Sequence, residues 1–244
     1  MLGPMADACP GQMKTDSGGM QSHTPPRAMT ATDIARTVAE YATSARLAIE
    51  AGFDGVELHA ANGYLIEQFL NANVNQRTDA YGDGIAGRNR FALEVARATA
   101  AAIGAHCVGI RLSPYGVFNS TGAFPDLETQ YVALTEELSK FGLLYLHLLD
   151  HSAMGAPPVP AKLKSRLRAA FKGLFILAGG FDRASAESAL KAGQADLIAF
   201  ARPFLANPDL VERMRTNAAL NDVDMATFYT PGPKGYTDYP ALAA

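Results

Sequence analysis

From residue 55 to residue 201 the chain repeats one rhythm: a short, mostly apolar run, a polar loop, then an amphipathic stretch of helical spacing. The apolar runs are GVELHA (55–60), CVGIRLS (107–113), LLYLHLL (143–149), LFILAG (174–179) and LIAFA (197–201). Each has strand length and little alternation, the pattern of a strand covered on both faces in a parallel sheet. Between them, Phe91, Val95, Ala98 and Ala102, and then Leu127, Tyr131, Leu134 and Leu138, recur every three to four residues and predict helices. Strands alternating with helices mean βα units around a parallel sheet. Upstream, Thr30 and Asp33 have capping-box spacing and Ile34, Val38, Tyr41, Ala45 and Ala48 share a face, so a helix is expected from about Thr30 until Gly52 ends it. Downstream, Asn207 is expected to cap a last helix, with Pro208 in its first position and Leu210 and Met214 following.

Residues 1–29 are rich in Gly and Pro and hold no Val, Ile, Phe or Tyr. They read as a flexible loop or tail and not as a strand region. Residues 1–54 therefore offer one helix and no strand. A closed (β/α)₈ barrel takes eight strands in about 250 residues, and the pattern yields five. At this level an open doubly wound sheet and a barrel without its first strands both remain, as one α/β domain over residues 30–240.

Composition narrows the classes of function. With 48% hydrophobic and 18% charged residues the 244-residue chain can build a core, which excludes disorder throughout. Lys plus Arg number 21 against 24 Asp plus Glu, a net charge of −3, so the basic excess of a nucleic-acid binder is missing. No run approaches the roughly 18 apolar residues of a membrane span, and the start has neither the basic nor the apolar stretch of a secretion signal. Cys9 and Cys107 are the only cysteines, too few for a disulfide framework and without zinc-site spacing. A cytoplasmic location is expected.

Polar residues gather where the apolar runs stop, the place parallel α/β proteins keep for their sites. The first run ends in Glu57, His59, Asn62 and Tyr64. A histidine and an amide three residues apart can both donate to one substrate oxygen, with a phenol nearby to deliver a proton; equally, Asn62 and Gly63 form a turn and His59 is a satisfied core residue. Arg111, inside an apolar run, needs an anionic or planar acceptor, either a ligand or a core carboxylate such as Glu57. His147, Asp150 and His151 lack a third ligand at a recognised spacing, so no metal is expected. Gly179 and Gly180 let a ligand approach the backbone, and Arg202 after the next run adds charge, a phosphate-type pairing that is also consistent with a plain turn. Phe228, Tyr229, Tyr236 and Tyr239 lie in a Pro/Gly-punctuated tail, where packing is the expectation for the last two.

These residues resemble the old yellow enzyme family of flavin-dependent ene-reductases. The family's His-x-x-Asn/His-Gly-Tyr-Leu signature stands here as His59, Asn62, Gly63, Tyr64 and Leu65, followed by Gln68, Phe69 and Leu70. Its Asn-x-Arg-Thr-Asp-x-Tyr-Gly follows as Asn75, Arg77, Thr78, Asp79, Tyr81 and Gly82, and RLSPYGVFN (111–119), AGGF, ARPF, NPDL and TFY keep the family's order. The resemblance implies a TIM barrel binding FMN, reduced by NADPH or NADH and reoxidised by an activated alkene. It implies that His59 and Asn62 bind the substrate's carbonyl or nitro oxygen, that Tyr64 is the catalytic proton donor, and that Phe228 and Tyr229 line the substrate side. Arg111 is implied at the flavin ring, and Gly179, Gly180 and Arg202 at its phosphate.

The chain departs from the family where a Glu and an Asn are usual at a helix start and Ala86 and Gly87 stand instead, which removes polar partners there. The family's first three strands have no counterpart, so about five of eight βα units are expected. A five-strand fragment has open edges. Two readings follow: a shortened ene-reductase completed by self-association or by an N-terminal fragment, or a non-catalytic remnant serving as an interaction module.

Overall fold

The computed structural model describes residues 1–15 and 18–242. Its first segment corrects one expectation, because strands do occur before residue 30. They are β1 (Leu2–Gly3), the antiparallel hairpin of β2 (Gln12–Thr15) and β3 (Gly19–Ser22), and β4 (Arg27–Ala28), which lies parallel to β1. The strands are two to four residues long and the hairpin is exposed on both faces. No apolar alternation marks them, so pattern reading passes over them. The segment is also tied to the domain: Met29 is buried in the core, and the Arg77 guanidinium donates to the carbonyls of Pro4 (2.9 Å) and Met29 (2.8 Å).

Helix α1 (Ala31–Glu50) begins with the expected capping box, Thr30 Oγ1 accepting from Asp33 N–H and the Asp33 carboxylate accepting from Thr30 N–H. Hydrogen bonds from Arg27 and Thr30 hold the Asp33 carboxyl well below the usual carboxylate range. After Gly52, with φ +95°, the βα units follow: β5 (Val56–Ala60), α2 (Leu65–Leu70), α3 (Gly84–Ile103), β6 (Val108–Leu112), α4 (Leu127–Lys140), β7 (Tyr145–Leu149), α5 (Ala161–Ala170), β8 (Leu174–Ala178), α6 (Arg183–Lys191), β9 (Leu197–Ala199), α7 (Arg202–Ala206) and α8 (Leu210–Thr216).

All five expected runs form one parallel sheet in the order β5-β6-β7-β8-β9. Alternate residues of each strand face opposite ways, so one face is apolar and covered by helices: Leu58, Ala60, Val108, Ile110, Leu112, Leu146, Leu148, Phe175 and Leu177 are buried there. Phe69 and Phe91, with ring centroids 4.4 Å apart, bring α2 and α3 onto that layer. The other face is open. Strand order that follows chain order, with helices on one face and no switch point, is a run of consecutive barrel units and not a doubly wound sheet. The chain is a partial TIM barrel with five of the eight units.

Two local expectations shift. The inner side of α3 is Phe91, Ala92, Val95, Ala96 and Thr99, while Ala102 is exposed; Asp83 precedes the helix without a side-chain cap bond. Asn207 does not cap α8: Asp209 holds that position, and the Asn207 side chain instead accepts from Asn221 N–H and donates to the Pro203 carbonyl. An asparagine beside a proline served a tertiary contact here, which a local pattern cannot show.

Candidate active site

The register sets the polar residues of the open face in rows. His59, Arg111, His147 and Ile176 are neighbours across β5 to β8, and Leu197 continues the row on β9. One layer below run Glu57, Gly109, Tyr145 and Leu174. The face is polar on β5 to β7 and apolar on β8 and β9, where Leu174 and Leu197 are 42% and 50% exposed.

In the lower row the Glu57 carboxylate takes a hydrogen bond from His147 Nδ1 (2.9 Å), with the Tyr145 hydroxyl beside it. Burial opposes its charge, but His147, Tyr145 and the charge of Arg111 outweigh burial and leave the carboxyl below its ordinary range. The Tyr145 phenol is pushed up to about 12 by burial and by Glu57. A carboxylate only accepts, so Nδ1 carries a proton in this contact. Glu57 is therefore committed to His147, and the expected alternative of an Arg111–Glu57 ion pair is not formed.

Above β5 the chain turns through two successive left-handed residues, Asn62 (φ +59°) and Gly63 (φ +69°), into α2. Glycine is required at the second, since a Cβ there would lie 2.3 Å from the Phe118 carbonyl oxygen. The turn brings the His59 and Tyr64 rings to 5.1 Å, with Tyr64 54% exposed at the mouth. Burial and the nearby Arg111 lower the His59 pKa, which keeps the imidazole neutral.

Four of the six buried side-chain polar atoms without a partner among the described residues belong to this region: Asn62 Oδ1, Arg111 Nε, His147 Nε2 and His151 Nδ1. Buried polar atoms are nearly always paired, so such a concentration marks a place that receives a polar ligand or chain. His147, Asp150 and His151 do not converge on a point. Asp150 turns to Lys164 (2.7 Å) and to the amides of Ser152 and Val159, and His151 packs edge-on against Phe118.

At the neighbouring mouth, Gly179 (φ +117°) and Gly180 (φ +70°) follow β8, and Arg202 opens α7 just after β9, which pairs with β8 through Ala178 and Ala199. A Cβ on Gly179 would fall 1.9 Å from the Asp150 carbonyl oxygen, so the bare backbone is a packing requirement there. In the tail, Phe228 and the 92% exposed Tyr229 touch each other edge-to-face at 6.2 Å. Tyr236 and Tyr239 accept hydrogen bonds from the main-chain N–H groups of Tyr229 and Asp224; packing is the expectation for both, but Tyr236 stands exposed and ties the tail through its hydroxyl. Sequence reading missed Glu67, Ser113, Asn119 and Tyr131, which surround the Asn62–Gly63 turn. The one available signal was a glutamate among the apolar residues of a short helix.

Five βα units with polar strand ends define a barrel of the enzyme-bearing (β/α)₈ kind. The chain belongs to the NADH:flavin oxidoreductase / NADH oxidase family, the old yellow enzymes, whose family model matches residues 3–221. Among similar proteins, a putative 12-oxophytodienoate reductase 10 of Oryza sativa subsp. japonica is 46% identical over 235 residues, covering 92% of this chain and 73% of that protein. The 12-oxophytodienoate reductase 2 of Arabidopsis thaliana is 44% identical, with 95% and 62% covered. Of solved structures, morphinone reductase superposes with a TM-score of 0.93 at 40% identity, over 99% of this chain and 66% of that one. The old yellow enzyme homologue from Zymomonas mobilis gives 0.93 at 35%, with 99% and 68% covered. The chain thus spans roughly three fifths to three quarters of the relatives it matches. FMN and NAD(P)H are the family's cofactors. No helix among the described residues is long and apolar enough to cross a membrane.

Proposed function

We propose that this chain carries the site of an FMN-dependent NAD(P)H ene-reductase, which reduces the C=C bond of α,β-unsaturated carbonyl or nitro compounds. The observation that supports it most is the group of polar side chains at the strand ends: neutral His59 beside Arg111 with its unpaired Nε in one row, and above them Asn62, whose side-chain oxygen is also without a partner among the described residues. These residues fit a flavin as far as five strands reach. Arg111 would hold the ring system, where its unpaired Nε needs an acceptor, and Gly179, Gly180 and Arg202 would hold the phosphate. When bound, FMN supplies hydride chemistry between NAD(P)H and the alkene.

The protein's own residues do the rest. His59 and Asn62 donate hydrogen bonds to the carbonyl or nitro oxygen, drawing electron density from the alkene toward that oxygen. A neutral imidazole can do this with one N–H and stays a donor without becoming the acid. Tyr64 holds the proton for the α-carbon on its phenol hydroxyl. Phe228 and Tyr229 line the substrate side.

The exposed Leu174 and Leu197 and the unpaired edges of β5 and β9 favour a second reading, in which the chain is a non-catalytic remnant serving as an interaction module or needs an N-terminal fragment that supplies further strands. The visible spectrum after adding FMN and desalting separates the two. Retained stoichiometric flavin supports the enzyme; a colourless protein that gains flavin only with a fragment carrying the missing strands supports the second reading. In the loaded protein, Tyr64→Phe is expected to slow reoxidation by an enone while sparing reduction by NADPH. Equal loss in both half-reactions would remove Tyr64 from the donor role.

A further inference from the structure

Glu67 is 1% exposed on α2, directly under the turn that carries Asn62 and Tyr64. Its carboxylate accepts three hydrogen bonds: from Gly63 N–H (2.6 Å), from the Ser113 hydroxyl (2.9 and 3.0 Å) and from the Tyr131 hydroxyl (3.2 Å). Ser113 in turn accepts from Asn62 N–H at 2.9 Å. Both amides of the left-handed pair therefore end on this carboxylate, one directly and one through a single hydroxyl. The carbonyls of the same pair are taken from other sides, Asn62 by the Asn119 amide (2.9 Å) and Gly63 by the Gln68 amide (2.9 Å).

A buried charge is expensive and is kept where it organises donors. An uncharged amide in its place offers one acceptor oxygen and turns an NH₂ group toward donors, so it cannot satisfy all three partners. We propose that Glu67 is a positioning residue: through Gly63 and Ser113 it fixes the Asn62–Gly63 turn, and so the direction in which Asn62 and Tyr64 face the open end of the sheet. This rests on the reading of Asn62 as a substrate contact and of Tyr64 as the proton donor. The groups facing the carboxylate are Tyr131 from α4, Ser113 from the end of β6 and the Gly63 amide from its own loop; among the described residues no charged side chain hydrogen-bonds or ion-pairs with it.

Burial raises this carboxyl to about 7 against the effect of its three donors, which gives the test its handle. Amide proton and nitrogen shifts of the uniformly labelled protein are followed from about pH 3.5 to 8.5, which spans the ordinary carboxyl range and the raised value. Gly63 and Asn62 are expected to titrate with a shared midpoint, and both titrations to vanish in Glu67→Gln. Ser113→Ala should abolish the Asn62 titration and leave that of Gly63. If Glu67→Gln does not fold, Tyr131→Phe serves instead, and the Gly63 midpoint should move upward with one donor fewer. A Gly63 amide that does not titrate, that still titrates in Glu67→Gln, or whose midpoint is unmoved in Tyr131→Phe overturns the proposal. These shifts need neither flavin nor substrate, so failure of the ene-reductase reading leaves them standing. In FMN-loaded protein Ser113→Ala is then expected to slow enone turnover on the order of tenfold, since small misplacements carry such factors, with NADPH reduction unchanged.

Discussion

Asn62 and Tyr229, two residues expected to meet substrate, both sit in the left-handed region, at φ +59° and +60°, in surroundings of opposite kind. Around Asn62 the main-chain N–H and carbonyl of that residue and of Gly63 are all paired, to Ser113, Asn119, Glu67 and Gln68, and the Phe118 carbonyl closes over Gly63. The main chain of Tyr229 itself makes one hydrogen bond, from its N–H to the Tyr236 hydroxyl, its neighbours Phe228 and Thr230 bond only to Met225 and Thr227 just upstream, and the ring stands 92% exposed. Left-handed backbone costs a non-glycine residue about 1–2 kcal/mol. At Asn62 the neighbours over-determine the conformation, which is how a ligand-binding side chain is pre-organised; at Tyr229 the conformation has little to hold it.

The largest effect is expected from Gly63→Ala. The new methyl meets the Phe118 carbonyl oxygen at 2.3 Å, backbone that cannot swing aside, and the left-handed conformation adds strain to any side chain. A loss of more than about 3 kcal/mol in denaturant unfolding is expected, in the range of strained and overpacked buried sites. A loss under about 1 kcal/mol would mean that the turn is not clamped.

Next comes the pH dependence of stability from Glu67. Its folded pKa is raised from 4.5 to about 7 by burial, so its contribution is fully present below about pH 4.5 and is lost as pH rises through 7. The difference amounts to about 3 kcal/mol. His59 and His151, lowered by burial and Arg111, push the other way, favouring the fold as pH rises through the usual histidine range. The difference between the parent and Glu67→Gln isolates the carboxylate: across pH 5 to 7.5 the parent should lose ground to the variant. Parallel curves would show that Glu67 does not titrate there.

Ser113→Ala should be milder. It leaves Asn62 N–H without an acceptor and takes one donor from Glu67, and a single unsatisfied buried group costs about 1–3 kcal/mol. Denaturant unfolding at pH 6 measures it, and a change within 0.5 kcal/mol, roughly the scatter of surface substitutions, would remove Ser113 from the clamp.

What the sequence disclosed divides along the same line. The five barrel strands were legible as short, mostly apolar runs, although the expected cover on both faces holds for one face only, the other being open with Glu57, His59, Arg111 and His147 on it; Thr30 with Asp33 announced the first helix by local chemistry alone. The hairpin of Gln12–Thr15 and Gly19–Ser22 was illegible because exposed strands obey no apolar pattern. His59, Asn62, Tyr64 and Arg111 stood out by residue type at strand ends, and the structure places them at one mouth. Glu67, Ser113, Asn119 and Tyr131 did not, because what they do depends on partners 46 to 64 residues away in sequence. The Glu57–His147 contact was hidden likewise, across 90 residues, and only the register of two strand pairs reveals it.

The smallest effect sharpens the contrast from its weak end. Tyr229→Asn keeps a residue that tolerates left-handed backbone and keeps the N–H that Tyr236 receives, while removing a ring whose one described aromatic contact is Phe228. An exposed side chain of this kind contributes little to the fold, and relief of backbone strain offsets the lost contact. Stability is therefore expected to change by less than about 0.5 kcal/mol. If the ring lines the substrate side, the same variant weakens binding of phenolic ligands to the FMN-loaded protein. A stability loss of 2 kcal/mol or more would mean that the tail is clamped as firmly as the turn at Asn62, and the contrast between the two regions would fall.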